Sequence, residues 1–353
     1  GHAEPEWMPL RTDEFYDALA IEVWRGREVL ALDAIAKTLT LDDGISLGYV
    51  AALVATGASA RRPPIAGIEL ANVLTLRGLD DADAIVQATE DASHAVVVGA
   101  SFIGMEAAAS LVERGLSVTI VAPSSAPFEK TLGRAIGEMF RALHEGRGVH
   151  FELGTRVVRF EGESVVERVV LENGKSLAAD LVIVGAGAEP ATGFLRGVTL
   201  DSSGGEVVDE HLCAGDGLYA AGDIARFPDP RTGELARIEH WRTAEQQGRV
   251  AAHNMVGDVT RYTAVPFFWT TQYGASLQYV GHASRWDEIL FDGDVAGRDF
   301  LALYVKDGRC IAAAGCNRDA QMGAIAEALR LDRMPSADTV RRGPVDWLGL
   351  VTK

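Results

Sequence analysis

Hydrophobic and polar positions along the first part of the chain follow a short period, which is typical of strands and turns. Apolar segments separated by polar ones predict strands over residues 21–24, 28–32 and 38–41. The last of these runs into Asp42-Asp43-Gly44, a signal for a hairpin turn. A continuous apolar run over residues 49–55 predicts a strand that is buried on both faces. The first 85 residues are therefore expected to form short strands joined by turns.

The middle of the chain alternates between strand and helix periods. An apolar strand that starts at residue 94 enters a glycine turn, and a helical period over 103–114 and a strand over 117–121 follow it. This order predicts a βαβ unit with two parallel strands. A helix over 131–145 and a buried strand over 180–185 extend the same pattern. The pattern indicates an α/β fold with a parallel sheet.

The last part of the chain, from about residue 263, is rich in aromatic residues and has a different pattern. It predicts one helix, over 319–329, and four strands over 275–283, 286–291, 298–305 and 309–316. Strands that follow one another without helices between them predict an antiparallel sheet. This region is therefore expected to be a small α+β unit.

Composition and charge narrow the class of protein. The chain has 353 residues, 48% of them hydrophobic, which is enough for two or three cored domains. Its 33 basic and 50 acidic residues give a net charge of −17, which argues against nucleic acid or an anionic membrane surface as a partner. The sequence contains no apolar run of about eighteen residues, the length of a membrane-spanning helix.

The three cysteines, Cys213, Cys310 and Cys316, form no Cys-x-x-Cys pair and no cluster with histidines. A disulfide scaffold, a metal site and a redox dithiol are therefore not expected. So few cysteines suit a reducing compartment, and we expect a cytoplasmic protein. The sequence opens on Gly-His-Ala-Glu-Pro without a methionine, which indicates either a cloning remnant or the middle of a longer protein.

The glycine turn after residue 98 is the clearest candidate for a binding site. It reads Gly99-Ala100-Ser101-Phe102-Ile103-Gly104, a dinucleotide-binding turn in which Ser101 replaces the usual second glycine. The first glycine allows the tight turn, the third lets the helix pack on the strand, and the helix N-terminus faces the pyrophosphate. The alternative is an ordinary strand-to-helix turn that binds nothing. We expect Gly99, Ser101, Phe102, Ile103 and Gly104 to bind a coenzyme.

The position that selects between NADH and NADPH carries neither of the usual residues. The strand over 117–121 is followed by Ala122-Pro123-Ser124-Ser125, without the acid that binds an adenosine ribose or an arginine for a 2′-phosphate. Ser124 and Ser125 could serve either coenzyme or could only form a turn. The choice between the two coenzymes is open at this point.

Three further segments, together with the glycine turn, carry a family resemblance. They are Leu-Val-Ala-Thr-Gly-Ala over 53–58, Gly-Leu-Tyr-Ala-Ala-Gly-Asp-Ile-Ala over 217–225 and the segment over 239–248. The chain resembles the FAD-dependent pyridine nucleotide-disulfide oxidoreductase family, in its ferredoxin reductase and apoptosis-inducing-factor-like branch. The segment over 185–195 is similar to the apoptosis-inducing-factor-like members. The resemblance covers nearly the whole chain.

This resemblance implies an α/β fold with two Rossmann-like dinucleotide-binding domains, for FAD and NAD(P), and a small α+β C-terminal domain. We place the first part of the FAD-binding domain at 1–85 and the NAD(P)-binding domain at 86–205. The chain then returns to the FAD-binding domain over 206–262, and the C-terminal domain takes 263–353.

The resemblance also implies roles for residues on the flavin side. Asp223 matches an acid that hydrogen-bonds the ribityl or phosphate part of FAD, at the end of an apolar strand where we expect a helix to open. Thr56 and Gly57 match the turn near FAD, and Gln247 and Gly248 match a helix start under the isoalloxazine ring. The remaining expected cofactor-binding residues are Gly187 and Gly222. The alternative for Asp223 is a plain helix cap.

Three residues are expected to act in catalysis. Glu106 matches a glutamate near the nicotinamide, and Glu239 and Trp241 match positions that face the flavin and the nicotinamide. Trp269 matches an aromatic residue of the C-terminal domain that closes over the flavin, and we count it among the cofactor-binding residues. The alternatives are a first-turn helix carboxylate for Glu106 and core packing for the two tryptophans.

The chain departs from the family in one respect. No first FAD strand with its own glycine turn occurs before residue 50, and the lysine-containing stretch that follows that turn is also missing. Either the sequence is truncated from a longer chain, or the chain is partly disordered, or this protein has lost FAD. The resemblance leaves these possibilities open.

The function implied by the resemblance is an NAD(P)H-dependent FAD flavoprotein reductase that passes electrons to a ferredoxin or Rieske-type iron–sulfur protein. The chain has no iron–sulfur ligand set of its own, so the acceptor is expected on another molecule. Arg61, Arg62, Arg341 and Arg342 are candidates for docking it. The expected assembly is a monomer or homodimer. The alternatives are an apoptosis-inducing-factor-like NADH sensor with slow turnover and a degenerate binding protein without flavin.

Overall fold

The computed structural model describes residues 5–352; residues 1–4 and 353, which fall in the first and last predicted domains, lie outside the described part. In the described residues, eight α-helices follow a short 3-10 helix at Pro5–Trp7. The helices are α1 (Asp13–Ala18), α2 (Leu79–Ala88), α3 (Phe102–Glu113), α4 (Glu129–Leu132), α5 (Arg134–Glu145), α6 (Trp241–Met255), α7 (Asp319–Arg330) and α8 (Ala337–Arg341). None of the helices within residues 5–352 has the length and apolar character needed to span a membrane.

The strands fall into three groups along the chain. The first group is β1 (Val29–Asp33), β2 (Thr38–Leu41), β3 (Ser46–Gly48), β4 (Ala52–Val54), β5 (Ala58–Ala60) and β6 (Val73–Leu74). The second group is β7 (His94–Val98), β8 (Ser117–Ala122), β9 (His150–Leu153), β10 (Val157–Glu161), β11 (Arg168–Leu171), β12 (Ser176–Ala178), β13 (Leu181–Val184), β14 (Ala188–Pro190) and β15 (Leu195–Arg196). The third group is β16 (Glu206–Val207), β17 (Cys213–Gly215), β18 (Leu218–Ala220), β19 (Ala225–Pro228), β20 (Leu235–Ala236), β21 (Phe267–Gln272), β22 (Ala275–Gly281), β23 (Glu288–Asp294), β24 (Asp299–Lys306) and β25 (Arg309–Cys316).

The middle of the chain forms a five-stranded parallel sheet in the order β6-β13-β7-β8-β9. Its central strands are apolar on both faces, and Val97 and Ile183 are completely buried. Helix α3 packs on this sheet through Met105 and Ala108, which are also fully buried. The predicted βαβ unit is confirmed.

A second group of short sheets is built from segments that are distant in the sequence. Strand β4 pairs in parallel with β18, which places Val54 beside Ala220. Strand β1 pairs in parallel with β15, so that Leu32 meets Leu195. The side chains of these strands share one apolar core with helix α6 and with the buried Phe227. The two segments that the resemblance assigns to FAD binding are therefore folded together.

The C-terminal part is an antiparallel sheet of five strands in the order β21-β22-β25-β24-β23. Helix α7 covers one face, where Met322 and Ile325 are fully buried. The other face packs against the parallel-sheet region, and the hydroxyl of Tyr304 donates a hydrogen bond to the carbonyl of Leu132 at 2.9 Å. The predicted α+β unit is confirmed, and its sheet closes one side of the site described below.

Four elements differ from the sequence prediction. Residues 21–24 form no strand, because Ile21, Val23 and Trp24 lie exposed with no strand beside them. The apolar run over 49–55 gives only the short strand β4. The predicted helix over 131–145 is divided into α4 and α5 at Gly133, whose φ of +84° interrupts the helical backbone. The strand β21, in the aromatic segment after residue 263, was not predicted.

Some elements of the structure cross the predicted domain limits. Helix α2 contains residue 85, where the first domain was predicted to end, and strand β6 before it belongs to the parallel sheet. Strand β15 lies inside the segment predicted for NAD(P) binding but pairs with β1. The exact domain limits therefore stay predictions.

Candidate active site

The turn between β7 and α3 has the geometry that its glycines require. Gly99 has a φ of +113°, and a Cβ atom placed there would lie 2.3 Å from the carbonyl oxygen of Gly185. A Cβ at Gly104 would lie 2.2 Å from the carbonyl oxygen of Gly99. Neither position has room for a side chain, because the nearest atom in each case belongs to the backbone and cannot move aside. The close packing of helix on strand, which the sequence predicted, is present.

Ser101 lies at the N-cap of α3 and leaves the helix end accessible. Its side chain is exposed and makes no capping hydrogen bond. Phe102 and Ile103, in the first turn of the helix, are half-buried. The amide groups at the start of a twelve-residue helix carry partial positive charge and suit a phosphate group. The residues of this turn therefore fit the pyrophosphate of a nicotinamide coenzyme.

Glu129, the first residue of α4, carries a carboxylate that sequence reasoning missed, and the loop after β8 binds it. Ser125 donates from its backbone N–H and its hydroxyl to the two carboxylate oxygens of Glu129, at 2.9 and 2.7 Å. These hydrogen bonds lower the pKa of Glu129. The N–H of Phe128, next to it, donates to the carbonyl of Ala100 in the glycine turn at 2.9 Å. The acid that binds an adenosine ribose usually stands at the end of strand β8, where this chain has Ala122. The only sequence signal for Glu129 was its spacing from Ser125.

A cleft of about 410 Å³ opens where β4 and β18 end side by side. Its walls come from four segments that the sequence separates widely. The lining residues are Leu53, Ala55, Gly57, Arg77, Ala221, Gly222, Asp223, Glu239, His240, Trp241, Ala244 and Gly248. We call this the first cleft. It contains six of the residues expected on the flavin side or in catalysis, namely Gly57, Gly222, Asp223, Glu239, Trp241 and Gly248.

Asp223 is held at the first cleft by an ion pair. Arg77 Nη2 lies 2.5 Å from Asp223 Oδ2, and the side chain of the aspartate is only 12% exposed. Arg237 Nη1 donates to the backbone carbonyl of Asp223 at 3.0 Å and lies 2.7 Å from Glu239 Oε1. Neither arginine was predicted. Arg77 is 146 residues from Asp223 along the chain, and Arg237 lies between the family segments over 217–225 and 239–248.

The prediction that a helix opens at Asp223 is wrong. A turn follows Asp223 and leads into β19, and the next helix, α6, begins only at Trp241. Asp223 is therefore not a helix cap either. The segment over 217–225 therefore runs from strand to turn to strand. In β19, Arg226 pairs with β16 and Phe227 pairs with β20.

Gln247 and Gly248 were expected at a helix start and lie instead in the second turn of α6. The Oε1 atom of Gln247 accepts a hydrogen bond from the N–H of Gly222 at 2.8 Å, and the side chain is completely buried. Its Nε2 atom has no partner among the described residues. No atom lies within 4 Å of where a Cβ of Gly248 would be, so this face of the helix is open to a planar ligand.

Thr56 and Gly187 lie outside the lining of the first cleft. The hydroxyl of Thr56 donates to the carbonyl of Ala191 at 2.8 Å, which joins the turn after β4 to the segment after β14. The carbonyl of Gly187 accepts from the N–H of Arg61 at 2.9 Å, and Gly187 has a φ of +96°. In this structure both residues therefore shape the backbone between the two dinucleotide regions.

A second cleft, of about 500 Å³, lies between α3 and the C-terminal sheet. One wall is the stacked pair Phe268 and Tyr279, whose ring centroids are 4.8 Å apart. The lining residues are Phe102, Glu106, Lys130, Thr131, Arg237, Ile238, Glu239, His240, Pro266, Phe268, Trp269, Tyr279, Gly281, His282, Ala283 and Ser284. This second cleft receives the first turn of α3, and thus adjoins the glycine turn.

Glu106 projects from α3 into the second cleft, where solvent can reach it. The hydroxyl of Thr270 donates a hydrogen bond to Glu106 Oε1 at 2.6 Å. The surrounding protein removes water from the carboxylate and raises its pKa, while the hydrogen bond from Thr270 acts in the opposite direction. Glu106 is therefore more than a first-turn helix carboxylate, because it contacts the C-terminal sheet.

The two clefts share a wall. Glu239 and His240 line both of them, immediately before the start of α6. Trp241 lines the first cleft and Trp269 the second, and their rings stand perpendicular with centroids 6.1 Å apart. Trp241 is 63% and Trp269 41% exposed, so neither is a core residue. Trp269 was expected to close over the flavin, and the structure places it at the boundary between the clefts.

The residues of the first cleft fit part of a flavin. Small residues line it at Gly57, Gly222 and Gly248, and Asp223 and Arg77 supply charged groups at its edge. Within residues 5–352, strand β4 is the outer strand of its sheet, and no second glycine turn precedes it. The described residues therefore fit the ring and ribityl part of FAD and supply no cradle for its pyrophosphate. No three His, Cys, Asp or Glu side chains in this part of the chain are grouped to hold a metal ion.

Comparison with known proteins agrees with this architecture. The chain is 38% identical to human apoptosis-inducing factor 3 over 335 residues, which is 94% of this chain and 55% of that protein. It is 32% identical to putidaredoxin reductase from Pseudomonas putida, over 95% of this chain and 81% of the relative. The chain thus spans about half the length of the human relative.

Solved structures show the same fold. A ferredoxin reductase from Rhodopseudomonas palustris superimposes with a TM-score of 0.93 at 31% identity, covering 99% of this chain and 87% of that one. Putidaredoxin reductase in its covalent complex with putidaredoxin gives a TM-score of 0.91 at 31% identity, over 99% and 86% of the two chains. The expected architecture of two dinucleotide-binding regions and a C-terminal domain is confirmed.

Two family models divide the chain between them. Residues 267–345 match the model described as reductase C-terminal, which corresponds to the antiparallel sheet and α7. Residues 11–248 match the model described as pyridine nucleotide-disulphide oxidoreductase, which includes the glycine turn and every residue of the first cleft. The chain belongs to the pyridine nucleotide-disulphide oxidoreductase family.

Proposed function

We propose that this protein is an NAD(P)H-dependent FAD flavoprotein reductase that passes electrons to a ferredoxin or Rieske-type iron–sulfur protein. The observation that carries the proposal is the common wall of the two clefts, formed by Glu239 and His240. A ring in the first cleft and a ring in the second would meet at the edge that these residues line, close enough for direct transfer of a hydride. Members of this family and the ferredoxin reductases similar to this chain use FAD and NAD(P)H.

The cofactors supply the redox chemistry, which is transfer of a hydride from the nicotinamide to the flavin. The protein binds and orients them. The turn over 99–104 would hold the coenzyme pyrophosphate at the N-terminus of α3, which leads directly into the second cleft. Phe102 and Glu106 lie one helical turn apart on that helix, so they would meet the nicotinamide end of the same coenzyme.

Glu106 would accept a hydrogen bond from the carboxamide of the nicotinamide. Its carboxylate is already fixed by the donor Thr270, so one oxygen remains free for the ligand. On the flavin side, the ion pair of Arg77 and Asp223 would hold the ribityl hydroxyls, and Gln247 would present its unpartnered Nε2 atom. Glu239, paired with Arg237, would border the place where the two rings meet, together with Trp241.

The exposed aromatic residues at the clefts suggest where an acceptor would dock. Trp241 and Trp269 are the large apolar side chains that reach solvent beside both clefts. Arg242 lies next to them, 4.9 Å above the ring of Phe267, and offers a positive charge to an acidic ferredoxin. Three of the four arginines predicted for docking are instead bound to acids: Arg61 to Glu189, Arg62 to Glu69, and Arg341 to Glu288 and Asp338.

We also propose a cytoplasmic location, which the three free thiols support. The family resemblance implies a monomer or a homodimer. Sedimentation equilibrium distinguishes these two assemblies, because a dimer has twice the 37.6 kDa mass of the chain.

The direct test is an absorption spectrum of the protein saturated with FAD, recorded before and after anaerobic addition of NADH. We expect flavin absorbance that NADH bleaches, and steady oxidation of NADH when a ferredoxin is added. Slow bleaching with a long-lived absorption band at long wavelength, and no turnover, would favour the NADH sensor. A preparation that stays colourless in FAD would favour a binding protein without flavin.

A further inference from the structure

A row of buried polar side chains leads away from Glu106 into the protein. Thr270, which donates to Glu106, accepts a hydrogen bond from Gln272 Nε2 at 3.0 Å. The Oε1 atom of Gln272 lies 2.7 Å from Nε2 of His144. Thr270 and Gln272 are each 1% exposed and His144 is completely buried. We call these three residues the Glu106 relay.

The three hydrogen bonds of the Glu106 relay run in the same direction. A carbonyl oxygen can only accept, so His144 Nε2 must carry the proton that it donates to Gln272 Oε1. Gln272 then donates from its amide to Thr270, and the hydroxyl of Thr270 is left to donate to Glu106. Each of the three donors therefore points toward the carboxylate, an arrangement in which the hydrogen bonds polarise and strengthen one another.

The far end of the relay is enclosed by aromatic residues. The ring of His144 meets Tyr273 edge to face at 4.9 Å and Phe151 at 6.3 Å. Its Nδ1 atom has no hydrogen-bond partner among the described residues. Burial lowers the pKa of His144, which favours the neutral ring, and the acceptor Gln272 Oε1 requires the proton on Nε2. The histidine is thus restricted to the tautomer that the relay needs.

The relay connects three elements that meet only in the folded protein. Glu106 lies on α3, Thr270 and Gln272 lie on β21 of the C-terminal sheet, and His144 lies on α5. Thr270 and Gln272 are two residues apart, so both side chains lie on the same face of their strand. Thr271, between them, faces outward, and its hydroxyl lies 3.3 Å from that of Ser276.

We propose that Thr270, Gln272 and His144 are positioning residues that hold the Glu106 carboxylate as an oriented acceptor for the nicotinamide carboxamide. The inference rests on the proposed function. It goes further in assigning a role to three residues outside the lining of both clefts. The purpose of the arrangement is to pre-orient Glu106, so that the carboxylate does not have to be ordered when the coenzyme binds.

The alternative is that the relay only joins the C-terminal sheet to the parallel-sheet region. A structural link of that kind would affect stability equally whether or not residue 106 is a carboxylate. A positioning role makes the effect of Thr270 on coenzyme binding depend on Glu106, and a double-mutant cycle measures that dependence.

The experiment uses the FAD-saturated protein and measures NADH binding by anaerobic calorimetry. Thr270→Val keeps the shape of the side chain and removes its hydroxyl, and we expect about tenfold weaker binding, as for a lost hydrogen bond to a charged group. Thr270→Ser, which keeps the hydroxyl, should restore most of the affinity. The matched control is Thr271→Val on the opposite face of the strand, which should bind as the original protein does.

The cycle is completed with Glu106→Leu, which removes both acceptor oxygens, alone and combined with Thr270→Val. We expect Thr270→Val to have no further effect on NADH affinity when residue 106 is leucine. A tenfold loss that persists in the Glu106→Leu background, or no loss in the original background, would overturn the positioning role.

A second measurement separates the relay from coenzyme binding. The carboxyl ¹³C resonance of Glu106 should shift in Thr270→Val and in Gln272→Leu without any NADH present, and should not shift in Thr271→Val. The ¹⁵N resonances of His144 should show the proton on Nε2. If the protein binds no NADH, the proposed function fails while these resonances still test the relay. A proton on Nδ1, or a carboxyl resonance that is indifferent to Thr270, would refute it.

Discussion

Two glutamates in different regions of this protein have a raised pKa, but they differ in hydrogen bonding and in access to solvent. Glu106 lies in the second cleft, where solvent reaches it and Thr270 donates to it. Glu206 lies on β16, completely buried, and neither of its carboxylate oxygens has a partner among the described residues. Burial raises the pKa of Glu206 to about 7. Removal from water acts on both carboxylates, but only Glu106 is provided with a donor and an opening toward a ligand.

The surroundings of Glu206 are mainly apolar. Burial raises the pKa of the nearby Tyr49, and the charge of Glu206 is one of the causes that add to this rise. Its backbone N–H donates to the carbonyl of Ile224, and Ile224, Ala225 and Phe227 beside it belong to the core of the FAD-side region. A carboxylate without hydrogen bonds in such a core destabilises the folded protein when it is ionised. Glu106 is expected to contribute to function, whereas Glu206 is expected to cost stability.

The largest effect is expected from Glu206→Leu, measured as the free energy of unfolding in urea. The folded pKa of about 7 lies above the unfolded value, so the stability of the original protein is greatest below the unfolded pKa and falls as the pH rises toward 7. Above that pH the substitution should stabilise the protein by up to about 3 kcal/mol, because each pKa unit corresponds to about 1.4 kcal/mol. The gain should shrink as the medium is acidified.

The control for this prediction is Glu172→Leu, since Glu172 is exposed in a turn between two strands. It should change the free energy of unfolding by no more than about 0.5 kcal/mol at any pH. If Glu206→Leu is less stable than the original protein above neutral pH, the carboxylate has a partner that the structure does not show.

The second prediction concerns Glu106→Gln, which should lower the rate of flavin reduction by NADH at least about tenfold, because a neutral acceptor replaces a charged one. The substitution should leave the free energy of unfolding nearly unchanged, in contrast to Glu206→Leu. Anaerobic stopped-flow absorbance measures the rate. Glu113→Gln, at the exposed end of the same helix, is the matched control. Equal rates in the two variants would make Glu106 an ordinary helix residue.

The third prediction concerns Asp223, a carboxylate that is mostly buried but paired with Arg77. Asp223→Ala should weaken FAD retention about tenfold, because it removes a charged hydrogen-bonding group from the first cleft. Fluorescence of FAD released on dialysis measures the retained fraction. Asp216→Ala, whose side chain is 90% exposed and paired with Lys37, should retain FAD normally. Unchanged FAD occupancy in Asp223→Ala would count against its assigned role.

The smallest effect tests the same contrast with two tyrosines. The buried hydroxyl of Tyr49 has no partner among the described residues, whereas Tyr304 donates to the carbonyl of Leu132. Tyr304→Phe should lower the free energy of unfolding by about 1 kcal/mol, and Tyr49→Phe should change it by less than half of that. Urea unfolding measures both. A larger loss in Tyr49→Phe would show that its hydroxyl has a partner.

The local parts of the fold could be predicted well from the sequence. The βαβ unit around α3, the hairpin after β2 and the C-terminal strands all depend on residues that are neighbours in the chain. Predictions are weaker where a segment depends on partners elsewhere in the chain: the apolar residues 21–24 form no strand because no other strand lies beside them. Strand β21 is an exception, because it was missed although its partner β22 follows it directly.

The same division applies to the candidate site. The glycine turn could be predicted because its strand, turn and helix are consecutive, and the family motifs identified the lining of the first cleft. The partners of the predicted acids could not be identified. Thr270 is 164 residues from Glu106, and Arg77 is 146 residues from Asp223. Neither threonine nor arginine carries a sequence signal at such a separation.

What the sequence alone determined is therefore the chemistry available to this protein: a glycine turn for a pyrophosphate, a family of flavin and nicotinamide enzymes, and a set of acids for two ligands. The tertiary structure decided which of those acids are useful. Burial and hydrogen bonding depend on every element that packs around a side chain, so one glutamate became an oriented acceptor in a cleft and another an unpaired charge in the core.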